Sequence, residues 1–185
     1  MYEVNIMFQM NKLVTLTAIL CFMALALSSL SMAQPSSSAK KAEFVVTKGA
    51  ASSLLTVWFD HETLAFSPQD SNKVGVWHLW QTNNPSFYQV YSEAGYRIEF
   101  DRFASQDMQS VLDDLKQLIS HGNFVDSHAI NAKQFELASL ESGLTVQQHM
   151  EQWSDYKTYD YADIGDNEAD PMLGKLIQQG FIRAL

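Results

Sequence analysis

Residues 96–103 (YRIEFDRF) set Tyr96, Ile98 and Phe100 against Arg97, Glu99 and Asp101 in strict alternation. Successive side chains of a strand point to opposite faces, so a period of two describes a strand with one buried and one wet face. This strand ends a longer stretch, residues 43–103, that reads as strands throughout. Residues 43–48 (EFVVTK) are rich in β-branched side chains and stop at Gly49. Residues 54–60 (LLTVWFD) place Leu55, Val57 and Phe59 on one face and Leu54, Thr56 and Trp58 on the other. Turn residues fill 67–72 (SPQDSN) and Asn83-Asn84-Pro85, with 73–81 (KVGVWHLWQ) between them. Residues 87–92 and 96–103 flank Glu93-Ala94-Gly95, a hairpin signal with glycine where a positive φ is wanted. Strands joined by short turns predict an antiparallel meander over residues 43–103.

After residue 103 the period lengthens. Met108, Val111, Leu112, Leu115, Leu118 and Ile119 keep helical spacing. Ser105 is placed to cap that helix, with Asp107 near its positive end and His121-Gly122 as a stop. Residues 124–130 suit a short strand. Residues 131–142 read both ways: Asn131 with Gln134 resembles a capping box, while Phe135 and Leu137 alternate like a strand. Thr145 with Gln148 repeats the capping pattern, and Val146, Met150 and Trp153 then share a face. Asp170-Pro171 opens a last helix, with Met172, Leu173, Leu176 and Ile177 as its buried side and Gly180 at its end. Strands first and helices after give an α+β fold: an antiparallel meander over residues 43–103 with C-terminal helices packed on one face. The segment 73–81 breaks the simple pattern. Val74, Val76 and Trp80 fall on one face, Trp77 and Leu79 on the other. Either that strand is covered on both sides or one sheet face is an apolar ligand surface.

The first 42 residues have a different character. Lys12 precedes an apolar run at residues 13–27 (LVTLTAILCFMALAL), followed by Ser28, Ser29 and the triplet Ser31-Met32-Ala33. Charged start, apolar middle and small residues are the plan of a secretory signal peptide, and about 15 apolar residues suit a signal core better than a spanning helix of about 20. Residues 1–33 are therefore expected to be a signal peptide cleaved after Ala33. Translation beginning at Met10 would place Asn11-Lys12 at the start. Cys21 lies inside the apolar core, which is the wrong place for a lipoprotein cysteine. Residues 34–42 (QPSSSAKKA) read as a flexible linker, and residues 43–185 as a single α+β domain.

Composition narrows the chemistry. Cys21 is the sole cysteine, so cleavage would leave neither disulfide nor thiolate chemistry. The formal net charge of -9 repels phosphate backbones and anionic headgroups, so no nucleic-acid partner is expected, and no membrane span remains once the signal is cleaved. About 150 residues suffice to bury a core of their own.

Two groups of side chains are candidates for a site. The aromatic residues of the strand half include Trp58, Trp77, Trp80, Tyr88 and Tyr91, which would line a sheet surface for an apolar or sugar ligand. The same residues also suit an ordinary aromatic core. Asp160, Asp163, Asp166, Glu168 and Asp170 supply the oxygen ligands that calcium prefers, although the spacing departs from an EF-hand because Ala162 and Ile164 occupy ligand positions. The competing reading is a solvated acidic loop in which Asp170 caps the last helix. Asp60-His61-Glu62 lacks the second histidine of a zinc-peptidase motif, and neither a nucleophile elbow nor a phosphate-binding glycine loop is present. No cofactor is called for. The leading expectation is an exported, soluble, non-enzymatic binding or interaction module, periplasmic or secreted from a bacterium, using its aromatic sheet surface. The alternatives are a small hydrolase built on Asp/Glu and His, and a structural accessory protein of the cell envelope with an envelope protein as partner.

Overall fold

The computed structural model describes residues 39–102, 105–162, 164, 170, 171 and 174. The signal peptide read at residues 1–33 and the apolar side of the last helix lie outside the described residues. The described residues form a mixed, mostly antiparallel sheet with two helices, α1 and α2 below.

Six strands make the meander: β1 (Lys40–Lys48), β2 (Ala51–Phe59), β3 (Thr63–Pro68), β4 (Val74–His78), β5 (Ser86–Tyr91) and β6 (Tyr96–Phe100). A 3-10 turn (Gln106–Met108) leads into helix α1 (Gln109–Gln117). A small hairpin, β7 (Ile119–Ser120) and β8 (Asn123–Phe124), follows, then β9 (Ser127–Ile130), β10 (Lys133–Ser142), helix α2 (Leu144–Asp155) and β11 (Lys157–Asp160). The large sheet runs β11-β6-β5-β4-β3-β2-β1-β10-β9. All its pairs are antiparallel except β11 with β6. Both edge strands have four residues, and short edges offer little template for pairing with other chains.

The pleat sorts the strands' side chains into two sets. On the first face lie Phe44, Val57, Phe59, Leu64, Phe66, Trp77, Phe87, Ile98 and Phe100, packed with Leu112, Leu115 and Leu118 of the α1 segment. On the second lie Trp58, Ala65, Val76 and Val90, packed with Val146, Met150 and Trp153 of α2. The helices therefore cover opposite faces, which corrects the expectation of helices on one face. The cause is the apolar character of both faces of β4, where Val74 and Val76 need cover as much as Trp77 does.

Several local expectations change for identifiable reasons. β1 starts at Lys40, inside the stretch read as linker, because Ala39 and Ala42 are buried and β1 pairs on both sides, with β2 and β10. The segment read as a turn at 67–72 closes a strand that the sequence concealed. In β3, Leu64 and Phe66 enter the first core, and Pro68 sits at the strand's last residue, where a missing N–H is tolerated. Asp60 starts that strand by accepting bonds from the Glu62 and Thr63 N–H groups at 2.8 and 2.7 Å. Ser105 caps nothing with its side chain, its Oγ instead donating to the Asp101 carbonyl at 2.9 Å. α2 begins after Gly143, with Thr145 inside the helix rather than at its cap.

Residues 131–142 resolve as strand β10. Asn131 and Ala132, at φ 49° and 62°, form the two-residue turn from β9, and two successive positive φ values are the pattern of a type I′ turn. Alanine is strained there, and Asn-Gly is the favoured pair. Ala132→Gly is expected to stabilise the fold by about 0.5–1 kcal/mol, the left-handed strain relieved less glycine's entropy. A urea midpoint that stays put or falls would contradict this.

Candidate functional site

A cleft opens on the first face, beside α1. Met108, Val111, Leu115 and Leu118 recur at helical spacing and form one wall. Four adjacent strands form the other: Phe135 of β10, Val46 of β1, Leu55 of β2 and Phe66 of β3. The cleft holds about 290 Å³, close to the roughly 300 Å³ at which small-molecule pockets begin. Its lining is mostly apolar, with Ser53 and, at one end, two charged groups, Asp114 and Lys133. Asn131 Nδ2 donates to Asp114 Oδ1 at 2.9 Å, which ties the β9–β10 turn to α1 and fixes that end. Lys133 forms no ion pair among the described residues.

The five aromatic residues singled out in the sequence do not converge. Trp77 stacks on Phe66 with ring centroids 5.3 Å apart and contacts Phe87 at 4.9 Å. Tyr91 joins the same core and donates its hydroxyl to Gln89 Oε1 at 3.2 Å, and burial pushes its phenol well above the usual value. Trp80 also belongs to this core rather than to the opposite face. β4 ends at His78, and Leu79 takes φ 55°, which turns the chain so that Trp80 swings back under Phe59. Its Nε1 donates to the Asp60 carbonyl at 3.0 Å, while Leu79 is left 44% exposed. Trp58 and Tyr88 lie on the second face, Trp58 edge-on to Trp153 at 5.5 Å.

A second cavity, of about 240 Å³, lies on that second face beneath the last turn of α2. Thr63, His78, Tyr88 and Arg97 rise into it from four neighbouring strands, and Trp153 and Ser154 close it from the helix. The Arg97 guanidinium carbon sits 4.7 Å from the Tyr88 ring centroid, and Tyr88 donates to Glu99 Oε1 at 3.2 Å. Burial, and then the Glu99 charge, raise the Tyr88 phenol above its ordinary value, so it remains protonated at neutral pH. A third depression, of about 450 Å³, lies among exposed polar side chains such as Asn83, Asn84 and Gln106.

Asp163, Asp166 and Glu168 of the acidic segment lie outside the described residues. Asp160 Oδ1 accepts the Ala162 N–H at 2.8 Å. Asp170 accepts from the Tyr159 hydroxyl and, at 3.3 Å, from Lys157 Nζ. Its carbonyl takes the Gly174 N–H at 2.9 Å, the first helical bond after Pro171. Among the described residues no three His, Cys, Asp or Glu side chains gather around a common point. His61 Nε2 lies 3.6 Å from Glu62 Oε1, but these are sequence neighbours on an exposed turn. His149 packs against Trp58 and Trp153, and burial, then the Lys41 charge, lower its pKa. No helix among the described residues is long and apolar enough to cross a membrane. Comparison with protein-family models, curated proteins and solved structures found no match.

The cleft was half visible in the sequence. The stripe Met108, Val111, Leu115 and Leu118 is plain, but nothing local says that its Met108–Val111 side stays open. Lys133 and Phe135 come to it only through β10's return to the side of β1.

Proposed function

We propose that the chain is an exported, non-enzymatic binding module that takes a small apolar ligand in the cleft between α1 and the sheet. The observation that carries this reading is the cleft itself: a preformed, mostly apolar space with two charged side chains, Asp114 and Lys133, at one end. Apolar walls with a few fixed polar groups are the usual make-up of a small-molecule site. The volume suits a small molecule; a helix, about 10 Å across with its side chains, needs a longer trough. The aromatic residues act as scaffold, with Trp77 and Trp80 holding the sheet that forms the cleft's floor.

Titration of the full chain with N-phenyl-1-naphthylamine, a small neutral apolar fluorophore, tests the reading. Saturable binding at one site per chain is expected. Export rests on residues 10–33 and is tested by N-terminal sequencing after expression in a bacterium. A chain beginning at Gln34 outside the cytoplasm is expected, and a full-length cytoplasmic chain would contradict export.

A further inference from the structure

The two charged side chains of the apolar cleft narrow the class of its ligand, an inference that rests on the cleft being the binding site. Asp114 follows Val111 by three residues and precedes Leu118 by four, so it stands on the side of α1 that otherwise gives the cleft its apolar wall. Lys133 precedes Phe135 by two residues in β10, which puts it on the same sheet face as that core side chain. A carboxylate on an apolar helix stripe and an ammonium on the core side of a strand are costly placements, because a charge drawn out of water needs a partner. Both side chains are half-buried. Pairing with each other would meet that need, yet no ion pair joins them. Asp114 accepts from Asn131 through Oδ1, and Oδ2 takes no bond among the described residues. Lys133 Nζ has neither a hydrogen-bond nor an ionic partner among them.

We propose that the cleft takes the zwitterion of an apolar α-amino acid of leucine to phenylalanine size. Its ammonium donates to Asp114 and its carboxylate accepts from Lys133, two charge-assisted bonds. Its side chain lies among Leu55, Val111 and Leu115, which line the cleft. The pairing of charges selects this class. A ligand with a carboxylate alone gains Lys133 but sets its charge beside Asp114, and one with an amine alone meets the reverse. A neutral apolar ligand removes water from both charged groups and pairs neither. The zwitterion has no net charge, so the chain's -9 does not repel it. A volume of about 290 Å³ lies at the lower end for small-molecule sites, which suits a single amino acid.

Isothermal titration calorimetry of the full chain at neutral pH tests the proposal. L-phenylalanine is compared with 3-phenylpropionate and 2-phenylethylamine, which each lack one charge. L-leucine is compared in the same way with 4-methylpentanoate and 3-methylbutylamine. At least one amino acid is expected to bind saturably at one site, tenfold or more tighter than either of its analogues. Glycine, which has both charges and no side chain, should bind at least tenfold more weakly. Lys133→Met and Asp114→Asn should each weaken the amino acid tenfold or more while changing affinity for N-phenyl-1-naphthylamine less than twofold. No saturable binding of either amino acid, an analogue that binds as tightly as its parent, or unchanged amino-acid affinity in both variants would overturn the proposal. The fluorescent probe is read separately. Probe binding without amino-acid binding overturns this proposal alone, and loss of both overturns the cleft as a binding site.

Discussion

Trp77→Ala is expected to destabilise the fold by about 3–5 kcal/mol, the range for truncating a buried tryptophan. The side chain is 2% exposed, on β4 of the sheet's interior. It stacks on Phe66 from β3 and touches Phe87 from β5, so its loss leaves a cavity that spans three strands. None of these strands can move inward alone, because each is paired on both sides. Native stability is about 5–15 kcal/mol in all, so this single change would remove a large part of it. Urea unfolding followed by far-UV circular dichroism measures the change. A midpoint equal to that of the unsubstituted chain would show that Trp77 is not a core residue.

Val111→Arg is expected to reduce affinity for N-phenyl-1-naphthylamine at least tenfold and to change stability little. Val111 lines the cleft and is only partly buried, so an arginine there can extend its head to water while its stem fills the space that the ligand would occupy. Tenfold corresponds to about 1.4 kcal/mol, which a few lost apolar contacts supply at roughly 25 cal/mol per Å². Unchanged affinity with an intact fold would place the probe elsewhere.

The sequence was clearest where neighbours in the chain are neighbours in space. Leu55, Val57 and Phe59 alternate against Trp58, and the structure sends them to opposite faces as the pleat requires. The Tyr91–Tyr96 hairpin, with Gly95 at φ 68°, and the Leu112–Leu115 stripe of α1 follow equally local rules. The failures are non-local. Leu79 takes a left-handed conformation that no propensity favours, held by Trp80's burial and its bond to Asp60, so the two tryptophans share a face that strict alternation denies them. β11 joins β6 in parallel across a long connection, and no short-range pattern announces such a partner. Residues 131–142 carried both helical and strand signals, and pairing with β1 and β9 decided for the strand. That same pairing brings Lys133 and Phe135 to the cleft, which is why half of the candidate site was illegible.

The cleft can be read directly from methionine methyl resonances. Met108 lines the cleft beside α1, and Met150 lines the cavity under α2. The full chain is labelled with ¹³C-methyl methionine, the two signals are assigned with Met108→Leu and Met150→Leu, and N-phenyl-1-naphthylamine is added to saturation. The Met108 methyl is expected to shift strongly under the ring current of the bound probe while the Met150 methyl stays in place. A Met108 signal that does not move as the probe saturates, or a shift confined to Met150, would contradict the assignment of the apolar site.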